Sequence, residues 1–386
     1  MSKAQAVTLR QNPVYPAPHG SWRGPSVKSS LQAIAGRIEK GGQREGVVRM
    51  LDDLLQTLDM KRTEDQLVGA IAVALRKRAV GARTYAGNLY LREDELQHMR
   101  LYSLLREHVP MISMTHPLAN ELLLPHVSSQ EQVVILDIGI GNGEQLAGLI
   151  HLCGTREAAP RRLVVVGLDL SAPSLANAQR NLSAAAEQWG IDFRFISLNK
   201  QVEALTHEDW TLLDSLEGTR VVNATFALHH LRHDDADPDV RDRLFQRLRR
   251  WRPRSLVISE TDAELNTVPL PERTGNTYDY FLGVFQHIDA IDIPEGDRLL
   301  LKLGMIAREI EDILGPDEEE RCERYESGHH WRERLERAGF AISPPPSSLL
   351  QDSNEAITIT VDRGYVTLHG AGTSLVTILC ARPAGA

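Results

Sequence analysis

One segment, residues 133–150, constrains the fold of this chain more than any other, and it has the sequence VVILDIGIGNGEQLAGLI. Its first four residues are apolar without alternation, which is typical of a strand covered on both faces in a parallel sheet. Asp137 ends this strand, and Gly139, Gly141 and Gly143 follow. Apolar residues then return at helical spacing, and the start of a helix offers free N–H groups to a ligand. The segment therefore predicts a strand, a glycine-rich turn and a helix around a nucleotide-type cofactor.

The spacing of the glycines separates two classes of cofactor. Dinucleotide-binding folds use G-x-G-x-x-G, but the third glycine here comes one residue early, and Glu144 occupies the required place. This disfavours an NAD-dependent oxidoreductase. The pattern D-x-G-x-G-x-G instead resembles motif I of the S-adenosylmethionine (SAM) dependent methyltransferases. A tight connection without a ligand is the alternative interpretation of such a turn.

A second apolar strand covers residues 163–170 and also ends near an acid, Asp169. In doubly wound folds the acid that closes the second strand faces the crevice where strand order reverses, and it accepts hydrogen bonds from ribose hydroxyls. We therefore predict that Asp169 holds the ribose of the cofactor. The alternative is an acid that is simply solvated at a strand end.

Three further apolar runs, at residues 193–198, 220–231 and 255–260, are each followed by a helical stretch or a polar turn. Five such units fit an open parallel sheet with right-handed crossovers. Two short strands around residues 370–372 indicate an antiparallel hairpin. The predicted fold class is α/β: a Rossmann-like class I methyltransferase sheet, mostly parallel with an antiparallel C-terminal hairpin, together with an α-helical cap.

Periodicity outside these strands divides the chain into sections. The proline-rich and aperiodic residues 1–29 predict a flexible arm. Residues 30–130 are expected to form an N-terminal helical cap section, residues 131–263 and 329–386 the Rossmann-like core, and residues 264–328 a helical cap insertion. The two helical sections are expected to pack together over the crevice.

Charge and cysteine content exclude several functions for this 386-residue chain. Its net charge of −9 argues against broad binding to the phosphates of nucleic acids. The three cysteines lie far apart, which suits reduced thiols, and the histidines lack a ligand spacing with nearby cysteines or carboxylates, so no metal is predicted. No signal peptide or membrane-spanning run is evident, so the expectation is a cytoplasmic protein that does not bind membranes.

Several segments, spread over roughly residues 30–383, resemble the GRAS family and in particular its bacterial members. The run at residues 133–150 is similar to the family's VHIID motif, with Asp137 at its acid. VVNATFALHHL is similar to the family's V-N-x-x-x-x-L-H-H segment, and SETDAELN with the residues after it resembles the PFYRE region. ERCERYESGHHWRERLERAGF resembles the pattern E-R-x-E-R-H-E…W…G-F, with Tyr325 in place of the usual His. The end, LVTILCARP, departs from the serine-alanine-tryptophan sequence of plant members.

This resemblance implies a Rossmann-type methyltransferase core with a helical cap, often as a homodimer. Plant members are transcriptional regulators that act through protein partners, whereas bacterial members are interpreted as methyltransferases of small molecules. This chain keeps all three glycines of the loop, whereas plant members commonly alter it. The glycines therefore favour a working SAM site.

The leading hypothesis is a SAM-dependent methyltransferase that acts on a small molecule held under the cap. The predicted cofactor-binding residues are Gly139, Gly141 and Gly143 beside the methionine part, Asp137 at its amino group, Asp169 at the ribose, Leu170 and Asn199 beside the adenine, and Asn223. The candidate bases or substrate-orienting residues, at or beyond strand ends, are His229, His230 and Glu260. The predicted substrate-binding residues, from the PFYRE-like region, are Asn266, Arg273 and Tyr280.

Two of these side chains also have structural interpretations. His230 is compatible with a buried, hydrogen-bonded histidine, and Glu260 with a salt bridge to Arg273 or Arg324. A second hypothesis for the whole chain is a non-catalytic regulator or small-molecule sensor that acts through protein partners. It is favoured because the fourth strand lacks an N-P-P-Y or D-P-P-Y motif.

Overall fold

The structure, a computed structural model, describes residues 26–81, 101, 104–231 and 240–385. The predicted flexible arm lies outside these residues except for its last four. Three of those four are helical, because the first helix begins at Val27 with Ser26 as its N-cap. The Ser26 hydroxyl accepts a hydrogen bond from the Ser29 backbone N–H, which satisfies one of the free donors at the helix start.

The α-helices of the described residues are α1 (Val27–Glu39), α2 (Arg44–Gln56), α3 (Thr63–Val80), α4 (Pro110–Ser113), α5 (Thr115–Val127), α6 (Glu144–Thr155), α7 (Ala172–Gln188), α8 (His207–Ser215), α9 (Val240–Trp251), α10 (Leu270–Asp289), α11 (Glu295–Leu299), α12 (Ala307–Leu314) and α13 (Gly328–Arg337). A π-helix (Leu300–Ile306) joins α11 to α12. Short 3₁₀ helices cover Val202–Ala204, Leu228–His230 and Ser347–Asp352.

The strands are β1 (Gln132–Ile138), β2 (Arg162–Leu168), β3 (Asp192–Leu198), β4 (Thr219–Thr225), β5 (Ser255–Thr261), β6 (Phe340–Ile342), β7 (Thr358–Asp362), β8 (Tyr365–Gly370) and β9 (Thr373–Pro383). They form one sheet in the order β3-β2-β1-β4-β5-β9-β8-β7, with β6 pairing to β9. The first five strands are parallel, and β9 runs antiparallel to β5 and β8. The predicted methyltransferase-type sheet with its antiparallel C-terminal hairpin is therefore confirmed. The sequence did not predict β6 or β7, because β6 has three residues and β7 buries little of its surface.

The register of the sheet places the carboxyl ends of β1, β2 and β4 side by side. Asp137 near the end of β1 pairs with Gly167 of β2 on one side and with Asn223 of β4 on the other. The carboxyl ends of parallel strands meet at one edge of a sheet, and a crevice at that edge is the usual ligand site of such folds. The predicted cofactor side chains therefore lie around one edge.

The two helical sections pack together. Helix α1 packs against α10, and α3 packs against α10 and α12. One apolar cluster joins the buried faces of these helices to one face of the sheet, and a second cluster lies on the other face with α9 and α13. Among the described residues, no helix combines the length and apolarity that a membrane span requires.

Candidate functional site

A cavity of about 480 Å³ opens at the carboxyl ends of β1, β2 and β4 and continues beneath α10 and α12. Its outer part is lined by the glycine-rich turn and by the residues that follow β2. Its inner part is lined mainly by apolar side chains of α10 and the π-helix. Helices α1–α3 contribute no lining residue, so they support α10 and α12 from behind, while residues 105–116 supply the N-terminal section's share of the wall.

The glycine-rich turn needs its glycines for different reasons. Gly139 has φ +76°, and a Cβ there would come within 2.6 Å of the Ala227 side chain, so the turn approaches the end of β4 closely. Gly141 has φ +53° and open space where a Cβ would point, which leaves the crevice clear for a ligand. Gly143 does not line the cavity, and a Cβ on it would meet Ala178 of α7 at 3.0 Å. Its role is to let α7 pack closely.

Asp169 lines the cavity, and it also fixes the turn. Its two carboxylate oxygens accept hydrogen bonds from the backbone N–H groups of Gly141 (3.0 Å) and Ser171 (2.7 Å). Leu170 lines the cavity beside it, but Asn199 does not. The Asn199 amide instead donates to the Asp169 carbonyl at 2.9 Å, so this exposed side chain positions the end of β2 rather than facing an adenine.

Asp137 also lines the cavity, and its carboxyl is almost completely buried. The Asn223 amide donates to it at 2.9 Å, and Asn223 and Gln145 exchange two hydrogen bonds of 3.2 Å behind it. Asn223 is not part of the cavity wall, so it orients Asp137 instead of contacting a ligand. Burial raises the pKa of Asp137 to about 7, and a ligand cation placed beside this carboxyl would favour its ionised form.

Glu260, a predicted catalytic residue, lies behind His229 and outside the cavity wall. The Glu260 carboxylate is fully buried and accepts hydrogen bonds from the backbone N–H groups of Ala227 (3.1 Å) and Leu228 (2.7 Å). It also lies 2.6 Å from Nδ1 of His229. It pairs with neither Arg273 nor Arg324, the two partners that the sequence allowed. Because its oxygens are occupied by these donors, Glu260 positions His229.

His229 and His230 line the cavity and meet a carboxylate that the sequence did not predict. Glu323 lies 3.4 Å from Nε2 of His229 and 3.2 Å from Nε2 of His230. Burial lowers the pKa of His230, but the Glu323 carboxylate outweighs it and the net pKa is raised. Burial raises the pKa of Glu323, but His230 outweighs it and the net pKa is lowered. The only sequence signal for Glu323 was its position in the ERCERYE motif.

Glu309 and Tyr325 are two polar residues of the inner cavity. The Tyr325 hydroxyl donates to the Glu309 carboxylate at 2.6 Å, and burial raises the pKa of Glu309 to about 8. A carboxyl whose pKa is raised in a cleft is a candidate for proton transfer. The sequence showed no signal for Glu309, because an acid in an amphipathic helix is normally solvated.

Of the predicted substrate-binding residues, only Tyr280 lines the cavity, and its hydroxyl donates to the Leu375 carbonyl at 3.0 Å. Asn266 instead donates to Glu326, and Arg273 donates to Glu318 and to the Val268 carbonyl. Both belong to a buried network of ion pairs and amide contacts beside the cavity. Residues that carry the family resemblance therefore include structural residues, which periodicity cannot distinguish from ligand-binding ones.

The chain belongs to the GRAS family. The family model described as "GRAS domain family" matches residues 27–376, which include the whole cavity wall. The predicted family is thereby confirmed.

Two curated relatives of this chain are plant proteins. The "Chitin-inducible gibberellin-responsive protein 2" of Oryza sativa subsp. japonica is 30% identical over 264 residues, which are 65% of this chain and 47% of that protein. "Scarecrow-like protein 1" of Arabidopsis thaliana is 26% identical over 324 residues, which are 81% of this chain and 54% of that protein. The chain thus spans about half the length of these relatives.

Among solved structures, the crystal structure of SCL7 in Oryza sativa is similar to this chain with a TM-score of 0.77 and 22% identity. The similarity covers 93% of this chain and 100% of that one. At this identity the likeness concerns the fold alone, and it agrees with the mixed sheet and helical cap described above.

Proposed function

We propose that the crevice binds SAM and that the inner cavity holds a small, mainly apolar molecule beside it. The observation that carries this proposal is that Asp137, Gly141 and Asp169 converge on one wall of a cavity that continues under the helical cap. Class I methyltransferase sheets place the cofactor at this edge. A cavity of a few hundred Å³ that is mainly apolar with a few convergent polar groups suits a small molecule.

The residues of the outer cavity fit this cofactor. Asp137 would face the α-amino group of SAM, and that positive charge would favour the carboxylate form. Asp169 would accept hydrogen bonds from the ribose hydroxyls, because each carboxylate oxygen keeps a lone pair besides the one used for a backbone N–H. Leu170 would lie against the adenine, together with residues 200–202, which take the place predicted for Asn199.

The first candidate function is methyl transfer, for which SAM would supply an electrophilic methyl group on its sulfonium. The contribution of the chain would be alignment, since in-line displacement depends on holding the acceptor atom close to the methyl carbon. Phe281, Val284 and Met305 would hold the apolar part of the acceptor. Where the acceptor carries a proton, the ionised form of Glu309 would receive it.

The second candidate is a regulator or sensor, and the comparisons favour it. The relatives named above carry no enzyme name, and the family confirmed here includes proteins interpreted as regulators that act through partners. In this case a ligand in the cavity would stabilise the packing of α10 and α12. A protein partner would then bind the outer surface of these two helices more tightly when the ligand is present. Membership of the bacterial branch, a homodimer and a cytoplasmic location stay predictions.

Calorimetric titration of the full chain with SAM and with S-adenosylhomocysteine tests the shared part of both candidates. We expect micromolar binding, and we expect Asp169→Ala to weaken it by about tenfold or more. Asp192→Ala is the matched control, because it removes an exposed carboxylate at the other end of a parallel strand. Folded protein that binds neither compound would contradict the cofactor proposal and leave the regulator.

Methyl-labelled SAM, incubated with the protein and a metabolite extract, then separates the two candidates. Labelled product that disappears in the Asp169→Ala variant supports methyl transfer. Binding of SAM without any labelled product supports a sensor.

A further inference from the structure

We propose that His229, His230 and Glu323 bind a divalent transition-metal cation of the zinc type at the wall of the cavity. One ligand atom from each of these residues lies within 4.8 Å of the other two. Two imidazoles and one carboxylate are a ligand set that zinc uses in catalytic sites, with a further position open to water or substrate. The inference does not depend on SAM binding, because none of the three residues belongs to the proposed cofactor crevice.

The distances between the groups fit a shared ion. Zinc lies 2.0–2.1 Å from imidazole nitrogen and at a similar distance from carboxylate oxygen, so two ligands of a tetrahedral site are separated by about 3.3 Å. Oε2 of Glu323 lies 3.4 Å from Nε2 of His229, and Oε1 of Glu323 lies 3.2 Å from Nε2 of His230. The two imidazole rings are themselves close, with centroids 4.0 Å apart.

The contact with Glu260 prepares His229 to be a ligand. The Glu260 carboxylate also accepts hydrogen bonds from two backbone N–H groups, so it is an acceptor here, and the Nδ1–H of His229 donates to it at 2.6 Å. In the neutral imidazole the lone pair is then on Nε2, the nitrogen that faces Glu323. A carboxylate that fixes the tautomer and orientation of a ligand histidine is the usual outer-shell partner of zinc.

The Glu323 carboxylate requires either a donated proton or a cation at this position. The Glu323 side chain is fully buried, and its carboxylate oxygens lie against the Nε2 atoms of His229 (3.4 Å) and His230 (3.2 Å). A lone pair on Nε2 and a carboxylate oxygen repel each other unless a proton or a metal cation lies between them. A buried carboxylate is costly unless it is paired or coordinates a metal, so the site contains either an Nε2–H group of the histidines or a metal ion.

Access from the cavity favours the metal ion. Both histidines line the cavity, so an ion held by them and Glu323 would have its remaining coordination position directed to whatever occupies the inner cavity. Such an ion would orient an oxygen or nitrogen atom of the bound molecule and lower the pKa of a proton on it. The ligand class expected in the inner cavity is therefore a small molecule with an apolar body and one metal-binding oxygen or nitrogen.

The first test uses the full chain and Co²⁺, a spectroscopic substitute for zinc, followed by competition with Zn²⁺. We expect one equivalent of Co²⁺ to bind and to give visible d–d absorption bands, which Zn²⁺ abolishes. Metal analysis of protein purified without chelator should give one equivalent of a transition metal. A folded protein that gives no such bands, and whose melting temperature neither Zn²⁺ nor a chelator changes, would overturn the proposal.

Three variants separate this site from other histidines, of which the chain has 14 in all. Glu323→Gln should abolish the bands, and Glu260→Gln should weaken Co²⁺ binding by roughly 10–100-fold, because it leaves the ligands in place but loosens their orientation. His207→Asn is the control, since His207 is exposed at the start of α8, and it should change nothing. Equal Co²⁺ binding by Glu323→Gln and wild type would assign the ion to other histidines and reject the site.

NMR of the imidazole nitrogens tests the proton alternative directly. A metal ion predicts Nε2 shifts of His229 and His230 that change on addition of Zn²⁺. Signals of Nε2-protonated imidazole or imidazolium for both residues that persist unchanged with added Zn²⁺ would show that protons occupy the site, and would reject the metal. A SAM titration of the same samples is independent of these results, so failure here and failure of the cofactor proposal are distinguishable.

Discussion

The buried carboxyl of Asp137 links the electrostatics of the crevice to cofactor binding. It is held by Asn223 and lies at the end of a strand that is covered on both faces. Burial raises its pKa to about 7, so near neutral pH the protein holds a mixture of neutral and ionised forms. The ammonium group of a bound SAM would select the ionised form, and binding would then release a proton.

This gives a defined pH dependence for the wild-type protein. Below about pH 7 the neutral carboxyl must lose its proton on binding, so the affinity for SAM should rise with pH, by up to about tenfold per unit. Above the pKa the affinity should level off, because the carboxylate is already ionised. Calorimetry across this range, in buffers of different ionisation enthalpy, measures both the affinity and the proton release.

Asp137→Asn supplies the control for this dependence. The amide keeps the shape of the side chain but cannot ionise, so the variant should bind SAM more weakly and without the rise toward pH 7. An unchanged pH profile in the variant would assign the dependence to another group.

At the scale of single residues, the sequence predicted those site residues that belong to a local motif. The strand-turn-helix pattern placed Asp137, Gly141 and Asp169 at one crevice, because parallel strands end at a common edge. It could not predict Glu323 or Glu309, since each meets its partner only through tertiary packing. Asn266 and Arg273 were predicted as ligand-binding, but a polar residue in a family motif has the same sequence signature whether it holds a ligand or another segment.

The segment of residues 321–327 forms no helix or strand, although residues 321–326 are buried. A buried irregular segment must find partners for its backbone polar groups outside regular structure. Here side chains from other elements supply them: Asp312 accepts the N–H groups of Cys322 and Glu323, and Arg241 donates to the Arg324 carbonyl. The charged side chains of this segment and their charged partners from other elements therefore form a dense ionic cluster in the interior of the protein.

Substitution of Glu326 tests whether that ionic cluster stabilises the segment. Its carboxylate accepts hydrogen bonds from Arg334, Asn266 and Arg241. We expect Glu326→Gln to lower the free energy of unfolding by about 3–5 kcal/mol, because it removes the buried negative charge that Arg241 and Arg334 share. Urea denaturation measures this change.

The matched control is Glu319→Gln, which neutralises an exposed glutamate in the same region and should change the free energy of unfolding by less than about 0.5 kcal/mol. Similar small effects of both substitutions would mean that solvent reaches the cluster and that it does not fix the segment.

At the scale of elements, the apolar runs predicted β1 to β5 and the closing hairpin well, since buried strands leave a continuous signal. The strands β6 and β7 were missed because β6 is short and β7 is half-exposed. Periodicity predicted the helical cap, but it did not predict that α10 and α12 line the cavity while α1–α3 pack behind them. Helix–helix contacts between α3 and α12 join residues separated by most of the chain, and no local pattern records them.

For the whole molecule, the cap and the sheet share a single core. One apolar cluster includes Ile71 of α3, Phe281 of α10 and Val133 of β1. A shared core predicts that the cap and the sheet unfold together, because neither buries its apolar face alone.

Ile71→Ala should therefore lower the free energy of unfolding of the whole protein by about 2–5 kcal/mol. Four of the five tryptophans, Trp189, Trp210, Trp251 and Trp331, lie in the described part of the chain and outside the cap. Tryptophan fluorescence and far-UV circular dichroism should give the same, single, shifted transition in urea. Val73→Ala, on the exposed face of the same helix, should shift neither signal measurably. Separate transitions for the two signals would show that the cap is an independent unit.

The π-helix at Leu300–Ile306 has a consequence for how this cavity can diversify. A π-turn accommodates one more residue than an α-turn, and each residue of an α-helix turns the next by about 100°. Loss of one residue from this segment would turn the residues on one side of the deletion by about 100° relative to those on the other side. Either Glu309 or the apolar residues before it would then point away from the cavity, while the strands of the sheet keep their sequence. Descendants of one ancestral gene could thus acquire new ligand preferences through a single-codon deletion, a route that comparison of aligned positions alone would overlook.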